Sequence, residues 1–211
     1  LHCQYFSLNK DFALEPRFGL SYKLSDKQNI SFGSGLHSQT LPAYMYFYKF
    51  PQDPSTNHFI NVKNIKSFQN VLCYDNVISK HARLKIETYY QYLYNVPVYV
   101  IPSSFSMINQ GSGFTRIFPD TTLQNTGTGN NIGIEFTLER FFYKSYYVMS
   151  TLSLYDSKYK GSDGKTYNSD FNGNYALNLL GGYELQMKPT KGGSEQTLIF
   201  GGKFTYGGGK R

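Results

Sequence analysis

Apolar and polar residues alternate along most of this 211-residue chain. In the stretch 16–24, Phe18, Leu20 and Tyr22 alternate with polar or small residues, which predicts a β-strand with one apolar side. A polar turn at 25–28 leads into a second alternating stretch, so a hairpin is predicted. The alternation recurs at these apolar positions: Ile30, Phe32 and Leu36; Ala82, Leu84, Ile86, Tyr90, Tyr92 and Tyr94; Ile132, Ile134, Phe136 and Leu138; Tyr175, Leu177, Leu179, Tyr183 and Leu185; Leu198, Phe200, Phe204 and Tyr206. Less regular strands are predicted at 1–7, 68–77 and 146–159. The chain is therefore predicted to be all-β, with about nine strands.

The length of these strands distinguishes two all-β architectures. Most are about 10 to 14 residues long, whereas strands of soluble proteins usually have about 5 or 6 residues. At about 3.3 Å per residue and a tilt near 45°, such a strand rises roughly 25 Å, the height of the apolar band of a transmembrane β-barrel. We therefore predict an antiparallel transmembrane β-barrel segment of long meander strands. A soluble β-sandwich with aromatic cross-strand pairs is the alternative.

The connections between the predicted strands alternate in length. Short links are predicted at 25–28, 79–81, 143–145 and 188–195, and long links at 40–65, 95–126 and 160–173. The long links are rich in Pro, Asn, Gly and Ser. Short turns on one side and long loops on the other are typical of outer-membrane barrels, whose long loops are extracellular.

Aromatic residues and strand parity predict which side chains meet lipid. One interfacial aromatic band is predicted at Phe141, Phe142, Tyr143, Tyr146 and Tyr147, and the opposite band at Tyr90, Tyr92, Tyr94, Tyr155 and Tyr159. Lipid-facing positions between the bands are predicted at Phe18, Leu20, Ile86, Phe136, Leu179 and Phe204. Residues of the opposite parity carry charges of both signs, so they can pair across strands inside a wet barrel.

Composition excludes several classes of protein. The longest apolar run is far shorter than the roughly 20 residues of a membrane-spanning helix, and 20 Tyr with 17 Phe are too many for a disordered chain. The charge of +7, from 21 Lys plus Arg against 14 Asp plus Glu, comes from basic residues scattered singly over turns, so no nucleic-acid partner is predicted.

No motif indicates a cofactor, a metal or a catalytic centre. The Gly-rich stretch 127–133 precedes a strand rather than a helix, so it lacks the helix N-terminus that holds a phosphate. The four His are scattered, and Asp156, Asp163 and Asp170 match no EF-hand spacing. Cys3 and Cys73 form no disulfide framework. No cofactor, no metal and no enzymatic activity are predicted.

Six strings, in order, resemble one known family. They lie at 15–17, 85–98, 125–135, 138–142, 153–159 and 207–211, and read EPR, KIETYYQYLYNVPV, NTGTGNNIGIE, LERFF, SLYDSKY and GGGKR. They resemble the barrel of TonB-dependent outer-membrane receptors that carry an N-terminal carboxypeptidase-regulatory-like domain. The resemblance implies a 22-stranded barrel, a plug domain threaded before it, and import energised by an inner-membrane complex. It implies an outer-membrane location of the gram-negative type, among lipid and lipopolysaccharide.

The resemblance also sets expectations for residues 1–211 and for their role. We expect a partial barrel domain that is an internal-to-late piece of a longer chain, with the plug, the energy-coupling box and the terminal strands outside it. The implied function is uptake of a nutrient, with a ferric chelate, a glycan and a peptide equally open. Ligand contacts are predicted on the long loops at Tyr44, Tyr46, Tyr48, Phe114, Arg116 and Tyr167.

Two other functions remain open at this point. One is an adhesin or surface-binding barrel without transport. The other is an outer-membrane barrel enzyme, although His37 and Ser38 are neighbours on one strand and therefore point to opposite sides of the sheet.

Overall fold

The computed structural model describes residues 1–56, 59–110, 118–187 and 195–209, and most of them are in β-strands. The strands are β1 (His2–Phe6), β2 (Asp11–Glu15), β3 (Arg17–Ser25), β4 (Gln28–Gln39), β5 (Ile65–Ser79), β6 (Ala82–Tyr99), β7 (Leu123–Tyr143), β8 (Tyr146–Lys160), β9 (Thr166–Asn168), β10 (Tyr175–Gln186) and β11 (Thr197–Gly207). A four-residue helix α1 (Ala43–Tyr46) and a 3-10 turn (Met107–Asn109) lie in the connections.

One nine-stranded antiparallel sheet dominates the structure. Strands β3 to β8, β10 and β11 pair in meander order, each with its neighbour along the chain, and the short β9 pairs with β8. The all-β prediction and the antiparallel meander are confirmed. The strand predicted at 1–7 is present as β1, but it pairs with β2 in a separate hairpin and is not one of the strands of the main sheet. Pro16 lies between β2 and β3 and has no N–H for the ladder, although its carbonyl still accepts from Leu36 N–H at 3.0 Å.

Strands β6 and β7 are longer than the alternation predicts. They extend to Tyr99 and begin at Leu123, so the long link at 95–126 shortens to 100–122. The pairing shifts register twice, between Leu93 and Val98, and Asn95 has a φ of +55°. These bulges break the alternation of apolar and polar residues, so the alternation predicts shorter strands than β6 and β7 are.

The register separates two faces of the sheet. One row across it joins Tyr22, Ile30, Tyr74, Ile86, Phe136, Leu152, Leu177 and Tyr206. All six predicted lipid-facing residues lie on this apolar face, where Phe18 is 61 % and Phe204 55 % exposed. Their contact with lipid stays a prediction. The other face, the polar face, carries residues of the opposite parity.

The register also decides the aromatic bands. Tyr155 and Tyr159 pair across with Gly133 and Gly129, so both lie on the polar face with Tyr89. Their assignment to the second interfacial band is therefore wrong. In this part of β8, neighbouring positions are both apolar, as at Leu154 and Tyr155. Alternation alone therefore could not assign these residues to a face.

Short and long connections lie at opposite ends of the strands. Two-residue turns join β3 to β4, β5 to β6 and β7 to β8, and the last has Lys144 and Ser145 at φ of 53° and 72°. Two positive φ values suit a hairpin turn whose twist matches its strands. The long connections 40–64, 100–122 and 161–174 lie at the opposite end of the strands, as predicted, whereas most of the short link predicted at 188–195 lies outside the described residues.

The packed hydrophobic core lies in the long connections rather than on the sheet. Leu41, Met45, Tyr46, Phe50, Phe59, Val62 and Met107 are buried together, and Phe6 and Leu8 of the β1–β2 hairpin pack against them. We call the long connections and this hairpin the loop cap. The loop cap is thus a folded unit at one end of the strands of the main sheet.

Candidate functional site: the polar face under the loop cap

A row of uncharged polar side chains crosses the polar face beneath the loop cap. Gln91 Nε2 donates to Ser67 Oγ at 3.0 Å, and Asn131 Nδ2 donates to Gln91 Oε1 at 2.7 Å. Ser157 Oγ donates to Asn131 Oδ1 at 2.6 Å and lies 2.7 Å from Ser169 Oγ. We call these five residues the polar belt. It links β5, β6, β7 and β8 to the loop cap in one continuous chain of hydrogen bonds.

The register of the strands builds the polar belt. Gln91 and Asn131 are direct cross-strand partners, and so are Asn131 and Ser157. Directly opposed side chains have Cβ atoms about 5 Å apart, which is the reach of an amide-to-amide hydrogen bond. Ser169 belongs to the third long connection, and its N–H also donates to the Ser157 carbonyl at 3.0 Å. The belt therefore fixes the loop cap to the sheet.

Two tyrosines flank the polar belt on the same face. Tyr89 and Tyr155 lie on either side of Gly133, and a Cβ on Gly133 would stand 2.6 Å from the Tyr89 ring. The hydroxyl end of the Tyr89 ring thus lies over the glycine, in the place a side chain would occupy. Aromatic rings over strand glycines are a recognised way to fill a gap on a curved sheet.

A pocket of about 360 Å³ lies where the polar belt meets the loop cap. It is lined by Tyr89, Gln91, Leu93, Ile108, Asn131, Tyr155, Asp156, Ser157, Lys158, Ser169 and Phe171. A neighbouring pocket of about 290 Å³ shares Tyr89 and Gln91 and adds Gln69, Glu87 and Glu135. Together they form a concave surface with polar and apolar lining, of the size that small-molecule sites have.

Charged residues on the polar face are held in pairs nearer the short turns. The Arg83 guanidinium donates to both carboxylate oxygens of Asp75, and lies 3.9 Å from a Glu139 oxygen. Lys85 Nζ lies 2.7 Å from Glu87. Arg83 joins β6 to β5 and β7, as predicted for charged residues of this parity, whereas Lys85 and Glu87 pair along β6.

The three long connections bind one another. Asn109 Oδ1 accepts from Asp170 N–H at 2.7 Å, and Ser103 N–H donates to Ser162 Oγ at 3.0 Å. Met107 of the second connection packs in the core formed by the first, and Asn125 Nδ2 of β7 donates to the Lys63 carbonyl at 3.1 Å. The cap therefore forms one assembly over the end of the polar face.

A carboxylate fixes the β1–β2 hairpin to the main sheet. Glu15 is 3 % exposed and accepts from the Ser38 hydroxyl at 2.6 Å, from Ser38 N–H at 2.9 Å and from Arg17 at 3.0 Å. His2 Nδ1 lies 3.1 Å away. The Ser38 hydroxyl is the main cause that lowers the pKa of Glu15 to about 2, against the opposing effect of burial.

The predicted ligand residues fall in different environments. Tyr46 is fully buried in the cap core, where its hydroxyl accepts from Leu41 N–H at 3.2 Å, and burial raises its pKa. Tyr44 and Tyr48 are partly exposed, and their ring centroids lie 5.6 Å and 4.9 Å from that of Phe118. Phe114 and Arg116 lie outside the described residues.

Tyr167 lies on β9, away from the other predicted ligand residues that the structure describes. Its hydroxyl donates to Asp163, and this hydrogen bond raises the pKa of Tyr167 and lowers that of Asp163. Its ring centroid lies 5.6 Å from that of Tyr159. The structure thus brings Tyr44 and Tyr48 together and places Tyr167 in the third long connection.

The described residues offer no metal cluster, since no three His, Cys, Asp or Glu side chains come together in them. Cys3 and Cys73 are both free thiols. Among the helices that the structure describes, none has the length and apolarity to cross a membrane. His37 and Ser38 are successive residues of β4, and Ser38 is engaged by Glu15.

The polar belt was missed by the sequence analysis. Its residues do have a signal, because Gln91 and Asn131 are uncharged amides at polar parity. Their alignment across four strands depends on the register, which a single sequence does not state.

Comparison with known proteins finds likeness in fold to solved structures, but none in sequence. No protein-family model and no curated protein sequence matches the chain. The ferric-catecholate import receptor Fiu of Escherichia coli K12 is 15 % identical with a TM-score of 0.58, over 83 % of this chain and 23 % of Fiu. The FrpB iron transporter of Neisseria meningitidis is 11 % identical with a TM-score of 0.54, over 92 % of this chain and 31 % of FrpB.

The outer-membrane transporter YddB of Escherichia coli is 10 % identical with a TM-score of 0.56, over 96 % of this chain and 34 % of YddB. The chain thus spans between about a quarter and a third of the length of these structures. At such identities the likeness shows the fold alone. That fold is part of a β-barrel of the kind these three structures have.

Proposed function

We propose that residues 1–211 are part of the barrel wall of a TonB-dependent outer-membrane receptor that imports a nutrient. The observation that carries the proposal is the separation of the sheet into an apolar and a polar face, with a folded loop cap at the end of the strands where the described long connections lie. One apolar side, long strands and long loops at one end of the strands are features of the wall of a transmembrane barrel. The similarity in fold to Fiu and YddB supports the same assignment.

The surroundings of the wall follow from the same proposal. Lipid and lipopolysaccharide cover the apolar face, and the loop cap faces the outside of the cell. A plug domain occupies the lumen beside the polar face, and an inner-membrane complex supplies the energy for import. The carboxypeptidase-regulatory-like domain before the plug is proposed from the sequence resemblance.

Ligand contacts are proposed on the loop cap. Tyr46 is buried in the core of the loop cap, so it holds the contact residues in place without being exposed itself. Tyr44, Tyr48 and Phe118 present exposed or partly exposed rings, and Phe114 and Arg116 precede Phe118 in the sequence. Tyr167 contributes from β9. Aromatic side chains and an arginine on these connections suit several nutrient classes.

Energised uptake by the full-length receptor tests the function. Cells that produce it would receive labelled ferric chelates, oligosaccharides and peptides, with and without a protonophore. Accumulation that the protonophore abolishes supports an import receptor. Surface binding without protonophore-sensitive accumulation contradicts import and supports a surface-binding barrel, and release of a chemically altered ligand supports a barrel enzyme.

A further inference from the structure

We infer that the apolar face, at the end of the strands where the short turns lie, binds the phosphate of an anionic phospholipid, namely phosphatidylglycerol. The residues that hold it are Arg140, Tyr143, Lys144 and Tyr146, which we call the headgroup cluster. The inference rests on the proposed place of the chain in an outer membrane and adds a specific lipid site to it. Short turns of such barrels are periplasmic, so the lipid belongs to the periplasmic leaflet.

Arg140 is a charged residue on the apolar face of β7. It pairs with Ala82 of β6 and Val148 of β8, and it has the same parity as Leu138. It lies three residues before the end of the strand at Tyr143, which at about 3.3 Å per residue and a 45° tilt is about 7 Å of depth. A cation on the outer side of a barrel costs far less at this depth than at mid-membrane, because lipid headgroups are within its reach.

Aromatic rings hold the guanidinium of Arg140 in place. Its central carbon, Cζ, lies 4.1 Å from the centre of the Tyr146 ring and 5.8 Å from that of Tyr143. Tyr143 and Tyr146 are direct cross-strand partners, and the His81 ring stacks on Tyr143 with 3.8 Å between the ring centroids. A contact between a cation and an aromatic ring orients the guanidinium without neutralising its charge. The group is therefore positioned before a lipid arrives, which limits the entropy lost on binding.

The guanidinium keeps hydrogen-bond donors for a ligand. Of its five N–H groups, the one on Nε is buried without a hydrogen-bond partner among the described residues, and one on Nη2 donates to the Tyr143 carbonyl at 3.4 Å. Three N–H groups on Nη1 and Nη2 remain, and the bond from Nη2 lies at the exposed surface. One N–H from each of these nitrogens forms the planar fork that matches two oxygens of a phosphate.

Lys144 adds a second positive charge beside Arg140. It lies in the turn after β7, and its Nζ is 5.5 Å from the centre of the Tyr143 ring. Among the described residues, no carboxylate lies within salt-bridge distance of either cation. By contrast, Arg83 and Lys85 on the polar face are each paired with a carboxylate. The described residues therefore leave the charge of the headgroup cluster uncompensated.

This charge selects an anionic headgroup over a zwitterionic one. Phosphatidylcholine and phosphatidylethanolamine bring a cation of their own, which would approach Arg140 and Lys144 with no described carboxylate to receive it. Phosphatidylglycerol carries the same phosphate and no cation. Tyr143 and Tyr146 are 39 % and 36 % exposed, so their rings can pack on the glycerol part of the lipid, at the level where aromatic residues of membrane proteins lie.

Site-specific photocrosslinking in the full-length receptor tests the inference. The photoreactive residue p-benzoylphenylalanine replaces Val148, which is exposed and is the cross-strand partner of Arg140, so the two side chains begin about 5 Å apart. The receptor is reconstituted in vesicles of equal parts phosphatidylglycerol and phosphatidylcholine, with one of the two lipids radiolabelled in each experiment. Crosslinking to phosphatidylglycerol is expected to exceed crosslinking to phosphatidylcholine by about tenfold.

Two variants remove the charges of the headgroup cluster one at a time. Arg140→Gln should abolish most of the tenfold preference, and Lys144→Gln, which changes an exposed turn residue, should reduce it and carries the test if Arg140→Gln does not fold. Lys27→Gln is the matched control, because it removes one charge from an exposed residue of the β3–β4 turn at the same end of the strands and should leave the preference unchanged. Heat-modified gel mobility identifies the folded variants.

Several results would overturn the inference. Equal crosslinking to the two lipids without any substitution in the cluster, or an equal loss of preference in Lys27→Gln, would remove the headgroup site and leave the barrel wall in place. Loss of the preference in the presence of equimolar glycerol phosphate would show a site for soluble phosphates rather than for a lipid. Crosslinking to neither lipid would contradict the proposed place of the wall in a membrane, and the lipid site with it.

Discussion

Replacing Leu179 with Arg places a charge on the apolar face of β10. The position of Leu179 along the strand gives its expected depth in the membrane. Leu179 is the fifth residue of the twelve in Tyr175–Gln186 and pairs with Phe204 and Ser150. At about 3.3 Å per residue and a 45° tilt, it lies about 9 Å from one end of the strand and about 16 Å from the other. It is therefore near the middle of a band about 25 Å tall.

A cation at mid-membrane on a barrel costs about 2 to 4 kcal/mol, so Leu179→Arg should lower the free energy of unfolding of the full-length receptor by that amount. Asn178→Arg is the matched control because Asn178 is adjacent and lies on the polar face. It loses an exposed hydrogen bond from Thr205 of 3.0 Å, which is worth about 1 kcal/mol or less.

Urea titration of the receptor in lipid vesicles measures both variants, with the folded fraction scored by gel mobility. The expected result is a large loss for Leu179→Arg and a small one for Asn178→Arg. Equal losses at the two positions would refute the assignment of the faces.

Three further predictions follow from the loop cap, from Glu15 and from the sheet edges. In intact cells, a cysteine placed at Ser162 should react with an impermeant maleimide and one at Ser25 should not; labelling at Ser25 alone would reverse the orientation. Because the folded pKa of Glu15 is lowered from 4.5 to about 2, its ionisation stabilises the fold above pH 4.5 by at most about 3 kcal/mol, and this is lost as the pH falls from 4.5 to 2; chemical unfolding of Glu15→Gln should lack this pH dependence, and an unchanged dependence would contradict the assignment. Residues 1–211 alone have unpaired edges at β3 and β11 beside a large apolar face, so they should aggregate or need detergent; a sharp monomer by size-exclusion chromatography with light scattering in detergent-free buffer would instead support a soluble sandwich.

The sheet could be predicted from the sequence because its strands alternate regularly. Phe136 and Leu179, on strands separated by β8, lie on one face as their parities predict. The face of a residue could not be predicted where bulges break the alternation, around Asn95 and Val96. It could not be predicted either where neighbouring residues are both apolar, at Leu154 and Tyr155. In both places the face of a residue depends on pairing with its neighbour strand.

The loop cap could be located from the sequence but its interior could not. Tyr44, Tyr46 and Tyr48 look alike in the sequence, yet Tyr46 is fully buried while the other two are partly exposed. Helix α1 turns Met45 and Tyr46 inward, and only its packing against the β1–β2 hairpin and the second long connection decides which tyrosine is enclosed. Such contacts between distant segments produce no repeating pattern of apolar residues in the sequence.

The alternation of faces along β10 in the membrane is the central claim, and a cysteine scan of Tyr175–Gln186 in the full-length receptor tests it most directly. Each variant is exposed once to a water-soluble maleimide and once to a lipid-dissolved one. The account predicts a two-residue period: Leu177, Leu179 and Tyr183 react from the lipid, and Asn178 and Glu184 react from the water. Reaction of all positions with the water-soluble reagent, or reaction without a two-residue period, would contradict it.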